Sequence, residues 1–296
     1  MLATTADFIP ADELAALVQR RAPHVLLDVR FTLDEGSLRD EYLSGHIPGA
    51  IFVDTDRELS GPGTPSVGSY PVPGPAVFAA AARSWGLSKN SEVIAYSGYT
   101  GISAGRLAWL LRWFGHDRVR ILDGGLRAWE QRGYPLLAGP VSAASAGDFG
   151  AAPGGIPVAD VADVLEFGAR GQLLDVRARR RYRQTEPDPP EYGGRRCGRI
   201  PGAVNIPSTS LHARDGRVRS REEIAGLLAG QGVDPRQPVA VYCGGGIASA
   251  WAAFTLRAAG IDAALFAASW AEYVADEALP VEVESVAGER AVPAPE

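Results

Sequence analysis

The sequence predicts an α/β protein made of two tandem copies of one domain, each a mainly parallel sheet flanked by helices. Three observations lead there. Short motifs recur in the same order about half a chain apart: "LLDVR" at 26–30 and 173–177, "GHIPGAIFVD" (45–54) as "GRIPGAVNIP" (198–207), and "VIAYSG" (93–98) as "VAVYCG" (239–244). "ILDGGLRAW" (121–129) returns more loosely as "LFAASWAEY" (265–273). Ordered self-similarity on this scale marks duplicated units. Within each copy, short β-branched runs alternate with amphipathic stretches, the pattern of a parallel sheet covered on both faces. Finally, 296 residues at 46% hydrophobic content suffice for two well-filled cores.

Taken in order, "HVLLDV" and "SEVIAY" in the first copy, and "GQLLDV" and "PVAVYC" in the second, read as buried strands. "ISAGRLAWLLRWFG" and "IASAWAAFTLRAAG" read as helices, each closed by a glycine suited to a C-cap. Between the copies, "LLAGPVSAASAGDFGAAPGG" is rich in Ala, Gly, Ser and Pro without periodicity, a linker that wraps over the surface. The expected organisation is a first domain over 1–137, a linker over 138–157, a second domain over 158–284 and a poorly ordered tail over 285–296.

A net charge of −6 argues against a general nucleic-acid binder. Lys89 is the sole lysine among 29 basic residues, so the arginines reflect compositional bias before function. Charges and glycines interrupt every apolar run before it reaches the length of a membrane span. The start, "MLATTADFIPADEL", lacks the basic and apolar runs of a secretory signal. Two cysteines, Cys197 and Cys243, make no disulfide framework. A cytoplasmic protein with reduced thiols, no membrane contact and no cofactor is expected.

One of those cysteines sits at the expected carboxyl end of a strand, where ligands collect in open α/β sheets. "YCGGGIASA" ends a strand at Tyr242, turns through three glycines and starts a helix near Ile247 or Ala248. Glycines let successive N–H groups point inward as an anion-binding nest, and a helix amino terminus adds partial positive charge. A thiol held there is expected to ionise readily. The same donors suit the outer sulfur of a persulfide. The anion-binding loop is therefore Gly244, Gly245, Gly246, Ile247 and Ala248, with Cys243 as nucleophile. In the first copy Ser97 occupies the cysteine's place.

These residues carry a resemblance. The twofold repeat, "GHIPGA" and "GRIPGA", "LDGGLRAW", the cysteine loop and "SWAEY" together resemble the tandem-rhodanese sulfurtransferases, over nearly the whole chain from about Ala11 to Val283. The resemblance implies two rhodanese-like domains, a non-catalytic first copy, and a site near their interface. It also implies a two-step reaction. Cys243 takes a sulfane sulfur from a small anionic donor, thiosulfate or 3-mercaptopyruvate, and passes it from a persulfide to a thiol, cyanide or protein acceptor.

Donor residues follow from the same resemblance. "RYRQTEP" (181–187) is similar to the family's Arg-aromatic-x-Gly-x-Glu-Pro segment, with Gln184 in place of the glycine, so Arg181 is expected to bind the donor's acidic group. The mercaptopyruvate branch has a second arginine a few residues on; here Pro190 stands near that place, with Arg195 or Arg196 as substitutes. "CGGGIA" lacks the Arg-Lys pair of thiosulfate-preferring members, but Gly245 replaces the serine of the mercaptopyruvate loop. Tyr70 stands near that branch's histidine, and only Asp56 survives from its relay. The eight arginines between Arg177 and Arg199 make a locally electropositive region that suits anion steering, most of them as solvated surface. His46 is expected to belong to a structural turn, since its counterpart is Arg199. Asp28 and Asp175, each followed two residues later by arginine, are expected to fix the loop after a strand, and Cys197 to be a bystander.

Rival chemistries fail on specific residues. A cysteine phosphatase loop needs arginine six residues after the cysteine, and Ser249 stands there. Two separated cysteines and four scattered histidines do not supply a zinc site. "CGGGIAS" lacks the spacing of a dinucleotide fingerprint. The remaining alternative is a sulfur-carrier or thiol-sensing module that docks a protein partner without turnover.

Overall fold

The computed structural model describes residues 6–62, 70–185 and 196–283. In the first half, strands β1 (Phe8–Ile9), β2 (Val25–Asp28), β5 (Ile51–Phe52), β6 (Val93–Tyr96) and β7 (Val119–Leu122) form one parallel sheet in the order β1-β7-β6-β2-β5. The strands β3 (Phe31–Thr32) and β4 (Gly36–Ser37) form a separate antiparallel hairpin. Helices α1 (Ala11–Gln19), α2 (Arg39–Ser44), α3 (Thr55–Glu58), α4 (Pro75–Ser84), α5 (Ile102–Trp113) and α6 (Gly125–Gln131) accompany them.

The second half repeats this plan. Strands β8 (Leu173–Asp175), β9 (Val204–Asn205), β10 (Val239–Tyr242) and β11 (Ala263–Leu265) form a parallel sheet ordered β11-β10-β8-β9. A parallel bridge from Val158 to Leu265 stands where β1 pairs with β7. The helices are α7 (Val161–Ala169), α8 (Arg179–Tyr182), α9 (Arg221–Ala229), α10 (Ile247–Ala258) and α11 (Ser269–Tyr273). Asp160 with Asp163 and Ser220 with Glu223 close capping boxes that start α7 and α9. The expected α/β class and its duplication are borne out.

The repeated motifs coincide with a repeated buried network. After β2, Arg30 forks onto Asp28 with Nη2–Oδ2 at 2.9 Å and donates to the Gly45 carbonyl at 2.7 Å. After β8, Arg177 does the same to Asp175 at 2.6 Å and to Gly198 at 2.8 Å. The Tyr242 hydroxyl donates to Asp175 at 2.7 Å and accepts from the Ile200 amide at 3.2 Å. Both aspartates are wholly buried, so each needs its arginine. "GHIPGA" and "GRIPGA" therefore serve a carbonyl that receives this arginine. His46 is fully buried, stacked on Tyr42 with its Nδ1 bonded to the Tyr42 carbonyl at 2.9 Å, which is a structural role.

The stretch 138–157 runs along the first domain rather than away from it. Gly139 N donates to Leu43 O, Gly147 N to Arg83 O, Phe149 N to Leu87 O and Gly155 N to Trp113 O, while the Phe149 ring is buried. The tail from 285 lies outside the described residues.

The two domains meet mainly through α5 and α10. Trp251 lies so close to Gly105 that a Cβ there would come within 2.6 Å of the indole and 2.8 Å of the Trp251 Cα. Phe8 packs edge-on to both Trp251 and Phe254, each at 5.9 Å. Arg112 lies over the Phe254 ring at 4.5 Å and pairs with Asp7. His212 stacks on Trp251 at 4.9 Å. Residues of both domains therefore share one continuous apolar cluster.

Two outcomes are expected. Gly105→Ala forces Trp251 away from α5 and should cost about 1–3 kcal/mol, measured by urea unfolding. Burial pushes the His116 and His212 imidazoles below their ordinary range, so both are neutral when folded. The unfolded chain protonates near pH ~6.5. Stability is therefore intact above that value and falls as pH drops through it. Unfolding midpoints of His212→Phe should fall less steeply than wild type as the solution is acidified.

Candidate active site

Strands β8 and β10 are parallel neighbours with Asp175 opposite Tyr242, so the segments after them emerge at one sheet edge. Cys243 follows β10 there, 4% exposed. The loop that holds it is anchored by its carbonyls. Cys243 O accepts from Trp270 N at 3.0 Å, Gly244 O from Ala271 N at 2.9 Å, and Gly245 O from Tyr70 N at 2.9 Å. Gly246 O faces Arg106 Nη1 at 3.5 Å. In a planar trans peptide the N–H points opposite the preceding carbonyl, so tying these oxygens outward turns the loop's amides inward. Gly246 N lies 3.1 Å from the Cys243 Sγ and donates to it. Gly246 has φ +100°, and a Cβ there would stand 3.0 Å from the Ala267 carbonyl, so glycine is required. The helix then starts at Ile247.

Two hydroxyls complete the sulfur's surroundings. Ser249 Oγ donates to Sγ at 3.3 Å, from the first turn of α10. Ser269 Oγ lies 4.0 Å from Sγ, 3.4 Å from Ser249 Oγ, and accepts from Cys243 N at 3.3 Å. Ser269 is wholly buried and, among the described residues, is one of two non-glycine residues with positive φ, at +53°. Such a backbone costs energy and persists only where its surroundings over-determine it. Here its amide and hydroxyl both bond the Phe266 carbonyl, at 3.1 Å each. Sequence reasoning counted Ser249 only as a missing arginine and gave Ser269 no role. The signal for Ser249 was its place one helical turn beyond the glycines.

The first domain contributes directly. The amide of Tyr70 reaches the cysteine loop, and the Tyr70 ring packs edge-on to Phe31 at 5.5 Å. Asp56 is held by the hairpin: it accepts from Ser37 N at 3.0 Å and from Ser37 Oγ at 2.9 Å. Its negative charge, after burial, raises the pKa of Tyr70. Arg106 of α5 is fully buried beneath the loop, a residue the sequence reading passed over. The corresponding first-domain loop holds Ser97, Gly98, Tyr99, Thr100 and Gly101 before α5, one residue longer than its counterpart. Ser97 Oγ is buried there with no hydrogen-bond partner among the described residues.

The arginine stretch divides. Arg181, on α8 at the same sheet edge as Cys243, donates to Gln184 Oε1 at 3.2 Å. Arg196 donates to the carbonyls of Leu279 at 3.1 Å and Asp276 at 2.7 Å, which ties down the last segment. Arg199 pairs with Glu282 and lies over Tyr182 at 4.5 Å. Arg179 and Arg219 line a separate cavity of about 300 Å³ with Thr209, Ser210 and His212, which Cys243 does not line. Arg195 and Pro190 lie outside the described residues. Cys197 donates to the Thr185 carbonyl at 3.0 Å, away from the glycine loop.

A duplicated parallel sheet with a cysteine in a glycine turn at a strand end defines a class, the rhodanese-fold proteins. Comparison with known families agrees: the rhodanese-like domain matches at residues 10–132 and again at 159–276. The chain belongs to the rhodanese family. It is 36% identical over 276 residues to SseB of Mycobacterium tuberculosis, whose name provisionally assigns thiosulfate sulfurtransferase activity, covering 92% of this chain and 95% of that one. It is 35% identical over 286 residues to the 3-mercaptopyruvate sulfurtransferase of Escherichia coli, covering 94% and 99%. The crystal structure of SseA from Escherichia coli superposes with a TM-score of 0.78 at 32% identity, over 90% of this chain and 99% of that one.

The Ser249 contact is testable alone. A side-chain hydrogen bond contributes about 0.5–1.5 kcal/mol, so Ser249→Ala should lower stability by about that amount in urea unfolding, with the fold unchanged by circular dichroism.

Proposed function

We propose that this protein is a sulfurtransferase that carries sulfane sulfur on Cys243. The observation that carries the reading is the sulfur's seat: a thiol at a strand end, facing the Gly246 amide and the Ser249 hydroxyl, in a loop whose carbonyls are all tied outward. The rhodanese family and relatives named as sulfurtransferases over nearly the full chain support it. The Cys243 thiolate attacks the outer sulfur of a small anionic donor, forming an S–S bond. With 3-mercaptopyruvate the C–S bond breaks and its electron pair leaves as the pyruvate enolate, which takes a proton. With thiosulfate the S–S bond breaks and sulfite leaves. An acceptor thiolate or cyanide then attacks the outer sulfur of the persulfide and releases the Cys243 thiolate.

The residues divide this work. Gly246 N–H and the Ser249 hydroxyl hold negative charge on the nucleophile, and the amides of Gly244 and Gly245, with the α10 terminus at Ile247 and Ala248, face the outer sulfur. Arg181, from the same sheet edge, receives the donor's carboxylate or sulfonate-like group. Of the two donors, 3-mercaptopyruvate is favoured, because Gly244 and Gly245 bring no side-chain cation to the loop. Asp56 acts through the hairpin and Tyr70 rather than on the sulfur. Both cysteines are free, which suits a reducing compartment such as the cytoplasm, and no described helix is long and apolar enough to cross a membrane.

Intact-mass analysis after mixing with 3-mercaptopyruvate or thiosulfate tests this reading. Wild type should gain one sulfur and Cys243→Ser none, and turnover with a thiol acceptor should follow. Arg181→Ala should raise the donor KM about tenfold or more with a smaller change in kcat, the loss expected for a charge-assisted bond. Loading without turnover would favour a sulfur carrier, and no loading of reduced, folded protein would sink the donor assignment.

A further inference from the structure

A cavity of the second domain has no part in this mechanism. It lies at the sheet edge where three strands end in a row: Cys243 follows β10, Arg177 and Arg179 follow β8, and Asn205 closes β9. The cavity, of about 300 Å³, opens beyond β9, two strands from the cysteine and so roughly 10 Å across the sheet. Crevices outside strand carboxyl ends are where open α/β sheets hold ligands. Two guanidiniums line this one. Arg179 is exposed, and its side chain has no partner among the described residues. Arg219 donates from Nε to the Ser210 carbonyl at 2.9 Å and from Nη1 to Glu223 Oε1 at 3.4 Å, which leaves Nη2 unused. Glu223 is the one carboxylate bonded to either guanidinium among the described residues, so the pair carries an excess positive charge. Ile206 and Leu227 add apolar surface that suits a carbon skeleton.

The duplication singles out Asn205 in the cavity's lining. Opposite Asp28, the first domain's sheet carries Phe52, buried, packed on Tyr42 and covered by Arg39. Opposite Asp175, the second sheet carries Asn205 instead. Its Nδ2 donates to the Asp175 carbonyl at 2.9 Å and to the Arg177 carbonyl at 3.0 Å, which fixes the sense of the amide. Oδ1 is left buried and without a partner among the described residues. An acceptor shut away from water costs free energy until a hydrogen-bond donor reaches it. The phenyl ring of the first copy has no such need.

We propose that this cavity binds a second ligand, a small organic oxyanion carrying an O–H or N–H group, at a site separate from the one that loads Cys243. The anionic group lies between Arg179 and the Nη2 of Arg219; a guanidinium fork matches a carboxylate or a phosphate alike. The O–H or N–H meets Oδ1 of Asn205, and the carbon skeleton rests on Ile206 and Leu227. Arg179 shares the single turn of α8 with Arg181, so the occupant sits beside the sulfur donor's arginine without using it. The inference rests on the cavity and not on the chemistry of Cys243.

The test is isothermal titration calorimetry of the full-length protein with two pairs of probes: L-malate with succinate, and glycerol 3-phosphate with propyl phosphate. Members of a pair share the anion and differ in hydroxyl groups. At least one hydroxylated probe should bind saturably at one site per chain, and the pair it belongs to separates a carboxylate ligand from a phosphate. Its hydroxyl-free counterpart should bind about tenfold or more weakly. Arg179→Gln should weaken the same probe about tenfold or more, while Arg181→Ala keeps it. On wild type, the bound probe should shield Arg179 and Arg219, but not Arg181, from phenylglyoxal, followed by peptide mass; this readout needs no variant to fold. Absence of saturable binding by both hydroxylated probes would overturn the proposal. So would equal affinity within the pair that binds. Binding lost in Arg181→Ala and kept in Arg179→Gln would also overturn it, since the anion would then sit at the sulfur donor's arginine. No readout involves sulfur, so wild type that fails to load sulfur would count against the sulfurtransferase reading alone.

Discussion

The indole of Trp251 lies on the backbone of α5 at Gly101 and Gly105, and this approach fixes how far the second domain stands from the first. The position of Tyr70, Pro71 and Arg106 relative to the cysteine loop depends on that separation. Interiors are packed tightly enough that a shift of a few tenths of an ångström is not absorbed locally. With one apolar cluster spanning both halves, the seam between them behaves as core, and the site beside it inherits that rigidity.

The cysteine loop shows how a backbone alone can aim hydrogen-bond donors at a buried sulfur. Hydrogen-bonding each carbonyl from 243 to 246 to a group outside the loop points the amides inward without any side chain. Two of these anchors come from α11 and its start, and two from the first domain. The nest is therefore assembled from three directions, and the strained backbone of Ser269 is one of its fixed points.

The parallel sheets, the two central helices and the cysteine turn were legible because each depends on local pattern: alternating runs, a glycine triplet, a repeated pentapeptide. The Asp–Arg pairs were legible for the same reason, being two residues apart. Ser269 and Arg106 were not, since their importance comes from groups far away in sequence: Ser269 meets Cys243 across 26 residues, and Arg106 meets Gly246 across 140. In an arginine-rich chain, one arginine on an apolar helix gives no local sign that it is buried. The carbonyl partners of Arg196 were hidden for the matching reason: they lie 80 and 83 residues away, beyond the reach of motif reasoning.

The stretch joining the domains is hydrogen-bonded along the first domain at Leu43, Arg83, Leu87 and Trp113 before it reaches Val158. The free tether is thus far shorter than the residue count from 138 to 157 implies. A short tether raises the effective concentration of one domain at the other, and closing a small loop costs less entropy than closing a large one. The second domain begins its search for the first already beside it. A seam assembled in this way stays occupied even where its contacts alone would give only a weak complex between separate chains.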